Sequence, residues 1–265
     1  MSDPPPVIVK LGGSVLTRKR EAPRIRLKVL ARLAEEIASA SVPLVLLHGA
    51  GSFGHPGAVR FGLALPPSKP ADPHRVRGAA IVGREVRKLH QAVLTALVDA
   101  GASPGSLPAA ALALNRAGTL ERLEVGPFET LLSRQMTPVS FGDVVPDVAW
   151  GFSILSADTL AVELARHLKA TRVLFVSDVA GVFAPTPSGA TRQIVPELTP
   201  AALTHLAPAA GVADVTGGIR TKVAAMLELG DLGIQAGLIS GLSHGSLSRA
   251  LKGEKVYGSW SGPDS

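Results

Sequence analysis

The chain contains no cysteine, which excludes a disulfide framework, a thiolate metal centre and a cysteine nucleophile, and leaves the redox compartment unmarked. Aromatic residues make up only 4% of it. That is too few for an aromatic-rich sandwich core or for a stripe of bases stacked on rings, and the apolar content rests on Leu, Val and Ala, a balance suited to parallel strands between helices. No apolar stretch reaches the roughly 18 residues of a membrane span. Met1 to Pro6 is polar and proline-rich, without the charged start, apolar centre and cleavage site of a secretory leader. The expectation is a cytoplasmic, membrane-free protein. Charge is also sparse in blocks: Lys and Arg exceed Asp and Glu by 27 to 21, yet the basic residues are scattered and no nucleic-acid module is recognisable. The excess therefore points to a small anionic ligand and not to a nucleic acid.

What is present is an alternation of apolar runs and glycine-rich breaks. Val7-Ile-Val-Lys-Leu11 ends in Gly12-Gly13-Ser14; apolar residues at helical spacing follow over 27–40; Val42 to Leu47 is a second buried run, and it ends in His48-Gly-Ala-Gly-Ser-Phe-Gly-His55-Pro56. This strand, helix, strand order predicts a right-handed parallel unit with glycine loops at the carboxyl ends of its strands. A proline-rich loop over 62–74 precedes a long amphipathic helix over about 76–100. An Ala-rich stretch near 108–114, a small charged hairpin over 116–124, a helix near 127–135 and a strand from Thr137 ending near Gly142-Asp143 come next. The second half opens on Ser156-Ala-Asp-Thr159 and a helix over 160–168. A strand over 172–178, a proline-rich loop over 184–189, a helix near 199–207, Asp214-Val-Thr-Gly-Gly218, a helix over 221–230 and a strand over 234–239 complete it. No internal repeat or long linker occurs, so both halves are expected to share one sheet.

Four polar or glycine-rich segments, 10–19, 48–55, 142–158 and 178–222, thus fall at strand ends, which a parallel sheet brings to one edge. Glycines there let backbone N–H groups approach phosphate oxygens. No Gly-x-x-x-x-Gly-Lys-Ser/Thr stretch exists, which excludes a P-loop. Gly49-Ala-Gly-Ser-Phe-Gly54 matches a dinucleotide pattern in isolation, but it follows the second strand, and the acid expected about twenty residues on falls at Asp72 in a proline-rich loop.

Taken together, Lys10-Leu-Gly-Gly-Ser14, His48 to His55, Gly142-Asp143, Ser156-Ala-Asp158, Ser177-Asp-Val-Ala-Gly-Val182 and Asp214-Val-Thr-Gly-Gly218 with Lys222 resemble the amino-acid-kinase family in order and spacing, from residue 7 to about 240. The Gly-Ser-Phe-Gly-His-Pro stretch, with Lys19 nine residues after Lys10, resembles the isopentenyl phosphate kinase branch of that family. The resemblance implies a three-layer αβα sandwich with a mainly parallel central sheet, an acceptor-binding lobe over 1–150 and an ATP-binding lobe over 151–265. It also implies transfer from ATP, with Mg²⁺, to a small phosphorylated substrate, and a homodimer. Lys10 would bridge the transferring phosphoryl group; Gly12, Gly13, Ser14 and Gly51 would offer donors to phosphates; Lys222, Asp178 and Gly218 would serve the nucleotide. Asp158 would organise the two lysines, Lys19 would stabilise transition-state charge, and His55, with Ala50, Gly54 and Ala157, would hold the acceptor phosphate.

Each has a structural alternative: Lys19 lies in the basic run Arg18-Lys19-Arg20, Asp158 suits a helix cap, Lys222 suits a helix surface and His55 a turn. Val76, Ile81 and Val82 are expected to wall an apolar tail pocket or, equally, to pack a core. His74, His90, His167, His205 and His244 have no ligand-like spacing and read as structural or surface groups. The chain departs from that branch at Ala50, where glycine is usual, and at Ala157-Asp158-Thr159, where Gly-Asp-Asp is usual. Related activities on a phosphonate of the fosfomycin type or a carboxylate of the acetylglutamate type, and a catalytically silent nucleotide-binding regulator, remain alternatives.

Overall fold

A computed structural model describes residues 4–18, 23–69, 72–185, 192–201 and 218–263. Strand β1 (Val7–Leu11) is buried along its whole length because it lies at the middle of a seven-stranded sheet. It pairs in parallel with β2 (Leu44–His48) on one side and with β9 (Arg172–Ser177) on the other. The order continues outward through β6 (Thr137–Phe141) to β3 (Pro104–Ser106) beyond β2, and through β12 (Gln235–Ser240) to β13 (Gly258–Ser261) beyond β9. Every pairing is parallel except β12 with β13. Strands from early and late in the chain therefore form one sheet, whose carboxyl-terminal edge gathers Gly12, Gly49, Gly142 and Asp178.

Strand alternation assigns each face its helices. Ile8, Val45, Leu47, Val173 and Phe175 point to one side, where α7 (Ala157–His167) and α8 (Gly218–Asp231) bury Leu160, Leu164, Val223 and Met226. Val7, Val9, Leu11, Leu46 and Leu174 point to the other, against Leu33 and Ile37 of α2 (Leu27–Ala38), Leu89 and Val93 of α4 (Pro73–Asp99), and Leu247 of α9 (Ser246–Leu251). The result is the expected three-layer sandwich. Lys10 shares the parity of Ile8, so its side chain rises on the α7 and α8 face.

A second, four-stranded sheet runs β5 (Thr119–Leu123), β4 (Ala113–Arg116), β7 (Asp143–Asp147), β8 (Gly151–Leu155). The Asp147 carboxylate closes it by accepting from the N–H groups of Ala117, Gly118, Ala149 and Trp150 and from the Ser153 hydroxyl. Its β7 and β8 pack Val144, Phe152 and Ile154 against a third apolar cluster that includes Ala58, Phe61, Val82, Val86 and Phe141.

The strand from Thr137 ends at Phe141, within one residue of the expected Gly142-Asp143, and Gly142 carries the chain into β7 of the second sheet; a methyl at Gly142 would lie 3.0 Å from the Ala157 N, so the backbones need that approach. One local expectation is corrected: 48–55 is not a loop throughout, since α3 (Gly51–Arg60) begins inside it and includes Pro56, so His55 stands on a helix. The charged hairpin is present as β4 and β5, and β8 is a strand that the sequence pattern does not announce. Lys19, Asp214 and most of the helix expected near 199–207 lie outside the described residues, as do residues 186–189 of the loop over 184–189.

Candidate active site

The glycine segments after β1 and β2 pack backbone against backbone. Gly12 N donates to Val176 O (2.7 Å) and Gly49 N to Leu11 O (2.9 Å), which ties both loops to the sheet edge. A methyl at Gly13 would fall 2.3 Å from Gly51 N, and Gly51 itself has φ +51°, so both positions require glycine. Thr17 clamps the pair: its hydroxyl donates to Gly13 O (2.7 Å) and accepts from Ser52 N (3.0 Å).

Beside these loops lie three charged side chains from three distant segments. Lys10 Nζ is 2.7 Å from Asp158 Oδ1, and Lys222 Nζ is 3.0 Å from both Asp158 oxygens. Lys10, Asp158 and Lys222 are all at least nine-tenths buried. Burial alone would raise the Asp158 pKa, but the two ammonium groups hold it well below the usual carboxylate range. Burial, reinforced by Lys10, pulls Lys222 below the ordinary lysine value, and the attraction of Asp158 only partly opposes this. Two cations share one anion, and the uncompensated positive charge faces a cleft.

That cleft, of about 610 Å³ counting its open mouth, has two ends. Lys10, Gly13, Gly49, His55 and Asp158 line the polar end; Ala58, Val82, Val86, Val144 and Ile154 line the apolar one. The sequence model of the amino acid kinase family matches residues 5–239. The chain belongs to the amino acid kinase family. Its isopentenyl phosphate kinase relative from Methanothermobacter thermautotrophicus is 35% identical over 259 residues, spanning 95% of this chain and 97% of that one. A second, from Haloferax volcanii, is 36% identical, spanning 84% and 88%. Among solved structures, X-ray structures of isopentenyl phosphate kinase superpose with a TM-score of 0.84 at 32% identity, covering 96% of this chain and 99% of that one. A T. acidophilum isopentenyl phosphate kinase product complex gives 0.78 at 26% identity, covering 96% and 98%.

Within this member of the family the remaining candidate residues take distinct places. Ala50, Gly54 and Ala157 line the cleft with His55, and a methyl at Gly54 would lie 2.4 Å from the Ala50 methyl, so that methyl occupies the space Gly54 leaves. Ser14 donates to Asp178 Oδ1 (2.5 Å), joining the first loop to the end of β9. Gly218, with φ +50°, opens the helix that delivers Lys222 one turn later. Gly51 does not line the cleft; it serves the loop packing just described. The cap of α7 is the Ser156 hydroxyl, which accepts from Thr159 N (3.0 Å), and Asp158 is thereby left to the lysines. Of the three residues proposed for the tail wall, Val82 lines the cleft, Ile81 packs against the third cluster and Val76 is half exposed.

Sequence reasoning missed Val86, Val144 and Ile154, and it quoted Asp143 within a motif without giving it a role. Asp143 lies at the cleft wall, and its buried carboxylate takes a two-pronged ion pair from Arg87 (3.1 and 3.3 Å); burial raises its pKa and Arg87 opposes the rise. An acid closing a strand-end segment was its signal. No comparable signal marks the apolar residues of β7 and β8, whose orientation depends on the second sheet.

Proposed function

We infer that this chain is an ATP-dependent phosphotransferase that converts isopentenyl phosphate to isopentenyl diphosphate, with residues 1–150 holding the acceptor and 151–265 the nucleotide. One observation supports the reading: a single cleft joins a cationic, glycine-walled end to an end lined by Ala58, Val82, Val86, Val144 and Ile154, apolar as a short hydrocarbon tail requires. A carboxylate acceptor would leave the apolar end unused.

In this reading the acceptor phosphate lies against His55 and the Gly49–Ala50 backbone, with its tail between α4 and β8. The ATP phosphates lie over Gly12, Gly13 and Ser14, with Asp178 and Gly218 on the nucleotide side. Lys10 and Lys222 flank the transferring group, and Asp158 keeps both ammonium groups in place through ground state and transition state. Lys19 adds charge from outside the described residues. A phosphate oxygen of the acceptor attacks the γ-phosphorus, the bond to the β,γ-bridging oxygen breaks, and ADP leaves with the electron pair. Such a transfer needs positioning and charge neutralisation more than covalent help. A phosphate monoester, with a second pKa of about 6, is already a dianionic nucleophile at neutral pH, so His55 serves as a phosphate ligand and no general base is required.

Among the described residues no group of three or more His, Asp or Glu side chains could hold a metal. Mg²⁺ brought in with ATP would neutralise phosphate charge beside Lys10 and Lys222. Among the described residues no helix is long and apolar enough to cross a membrane; a cytoplasmic homodimer is the setting this reading expects, checked by light scattering. The deciding experiment is ADP release with Mg²⁺-ATP across isopentenyl phosphate, dimethylallyl phosphate, fosfomycin, acetylglutamate and UMP, with His55→Ala in parallel. Turnover on isopentenyl phosphate that collapses in the variant supports the reading; turnover confined to acetylglutamate, or indifference to His55, overturns it.

A further inference from the structure

Directly behind the Gly49 to Gly51 loop lies a polar chain that the mechanism above does not use. His48, the last residue of β2 and fully buried, has Nδ1 3.2 Å from Gly49 O and Nε2 3.1 Å from His90 Nδ1. His90, on α4 and 5% exposed, has Nε2 2.8 Å from the Ser106 hydroxyl at the end of β3. Both rings lie against Phe141, with centroids at 5.2 and 4.4 Å. Burial pushes the His48 pKa down to about 3 and that of His90 down to about 4, so both imidazoles are neutral at pH 7, with one N–H each.

A neutral chain of this kind has one polarity that satisfies every member. Gly49 O only accepts, so His48 carries its proton on Nδ1. Its Nε2 must then accept, which places the His90 proton on Nδ1; His90 Nε2 must accept in turn, from the Ser106 hydroxyl. The Gly49 carbonyl is thus drawn toward His48, away from the cleft. Because the Gly49–Ala50 peptide is trans, its N–H points opposite to its carbonyl, toward the cleft that Gly49 and Ala50 line. His48 also secures the neighbouring wall, since its own carbonyl accepts from Gly142 N (3.0 Å).

We propose that Ser106, His90 and His48 form a positioning relay that holds the Gly49–Ala50 peptide with its N–H directed at the acceptor phosphate. The role rests on the acceptor assignment made above. It differs from packing in being directional. Asparagine at position 90 can replace the Nδ1 donor to His48, whereas glutamine reaches the Nε2 position and preserves only the contact to Ser106.

The test combines ¹⁵N-resolved NMR of the imidazole nitrogens with initial rates for His90→Asn, His90→Gln and His90→Leu. The expected result is the Nδ1–H tautomer on both His48 and His90 in the wild type. Acceptor KM stays within about threefold in His90→Asn and rises about tenfold or more in His90→Gln and His90→Leu, the size of a lost hydrogen bond to a charged group, while the KM for ATP is unchanged. An Nε2–H tautomer on His48, equal behaviour of the asparagine and glutamine variants, or a parallel rise in the KM for ATP overturns the proposal. Wild-type protein inert toward isopentenyl phosphate would sink the acceptor assignment instead, and the tautomers, read without turnover, would still decide whether the relay exists. The spectrum of the wild type also stands if a variant does not fold.

Discussion

The two ends of the cleft are built on opposite principles. At the polar end the protein brings charge and bare backbone to one point: Lys10, Asp158 and Lys222 are buried against one another within 3.0 Å, and the glycine loops touch where no side chain fits. At the other end, Val82, Val86, Val144 and Ile154 enclose space without specific polar contacts. In the function proposed above, the first end handles the phosphoryl group and the second selects the acceptor by shape, which many combinations of aliphatic side chains satisfy. Catalysis and acceptor choice are therefore separable by mutation.

The largest expected effect is at the polar end. Asp158→Asn leaves two buried ammonium groups facing each other and removes their common anchor, so kcat should fall by about 10²–10³ while acceptor KM changes little, as steady-state kinetics would register. A kcat loss matched by an equal loss of acceptor binding would break the separation. His55→Ala should come next, raising acceptor KM by about 10- to 100-fold through loss of a hydrogen bond to a charged group, with the KM for ATP unchanged. At the apolar end, Ile154→Phe fills space without touching the lysines. It should lower kcat/KM for isopentenyl phosphate about tenfold and leave methyl phosphate unaffected; equal loss on both acceptors would show that the ends are coupled.

The smallest effect concerns stability. The unfolded chain protonates its histidines near pH 6.5, whereas folded His48 and His90 resist until about 3 and about 4. Between those values and 6.5 the unfolded state binds more protons, so stability is full above pH 6.5 and falls as the pH drops, by about 1 kcal/mol per group per pH unit. Urea midpoints at pH 7.0 and 5.5 should record the loss, and His90→Asn should roughly halve it. A flat profile would remove the buried pair from the account.

Legibility followed the same division. Lys10 stood out because a charge inside an apolar strand demands a partner, and its parity with Ile8 aims it at α7 and α8. Gly12, Gly13 and Gly54 were readable because close backbone approach restricts the residue type. His55 was legible in its motif although its local structure was misread, since the α3 start at Gly51 overrides a glycine and proline content that reads as loop. Val86 shares a helical face with Val82 but was not singled out. Val144 and Ile154 were invisible because β7 and β8 leave the central sheet, and no periodicity within five residues announces a change of sheet. The His48 relay escaped because its partners sit 42 and 16 residues apart in sequence, with no spacing that ordinary ligand or triad patterns would recognise.

The place of β1 at the centre of the sheet has a consequence for the order of events in synthesis. Its β2 edge is covered within 48 residues, but its other edge waits for β9, about 165 residues later. A nascent chain emerging at about 5–20 residues per second therefore carries an open, largely apolar strand edge for about ten to thirty seconds. Pairing of such distant segments is slow because loop closure precedes any reward. Until β9 and α7 dock, Lys10 has no counter-ion, and the ammonium group keeps the exposed Val7 to Leu11 edge from being uniformly apolar. The residue proposed to grip the phosphoryl group thus also interrupts a sticky edge while the chain is unfinished.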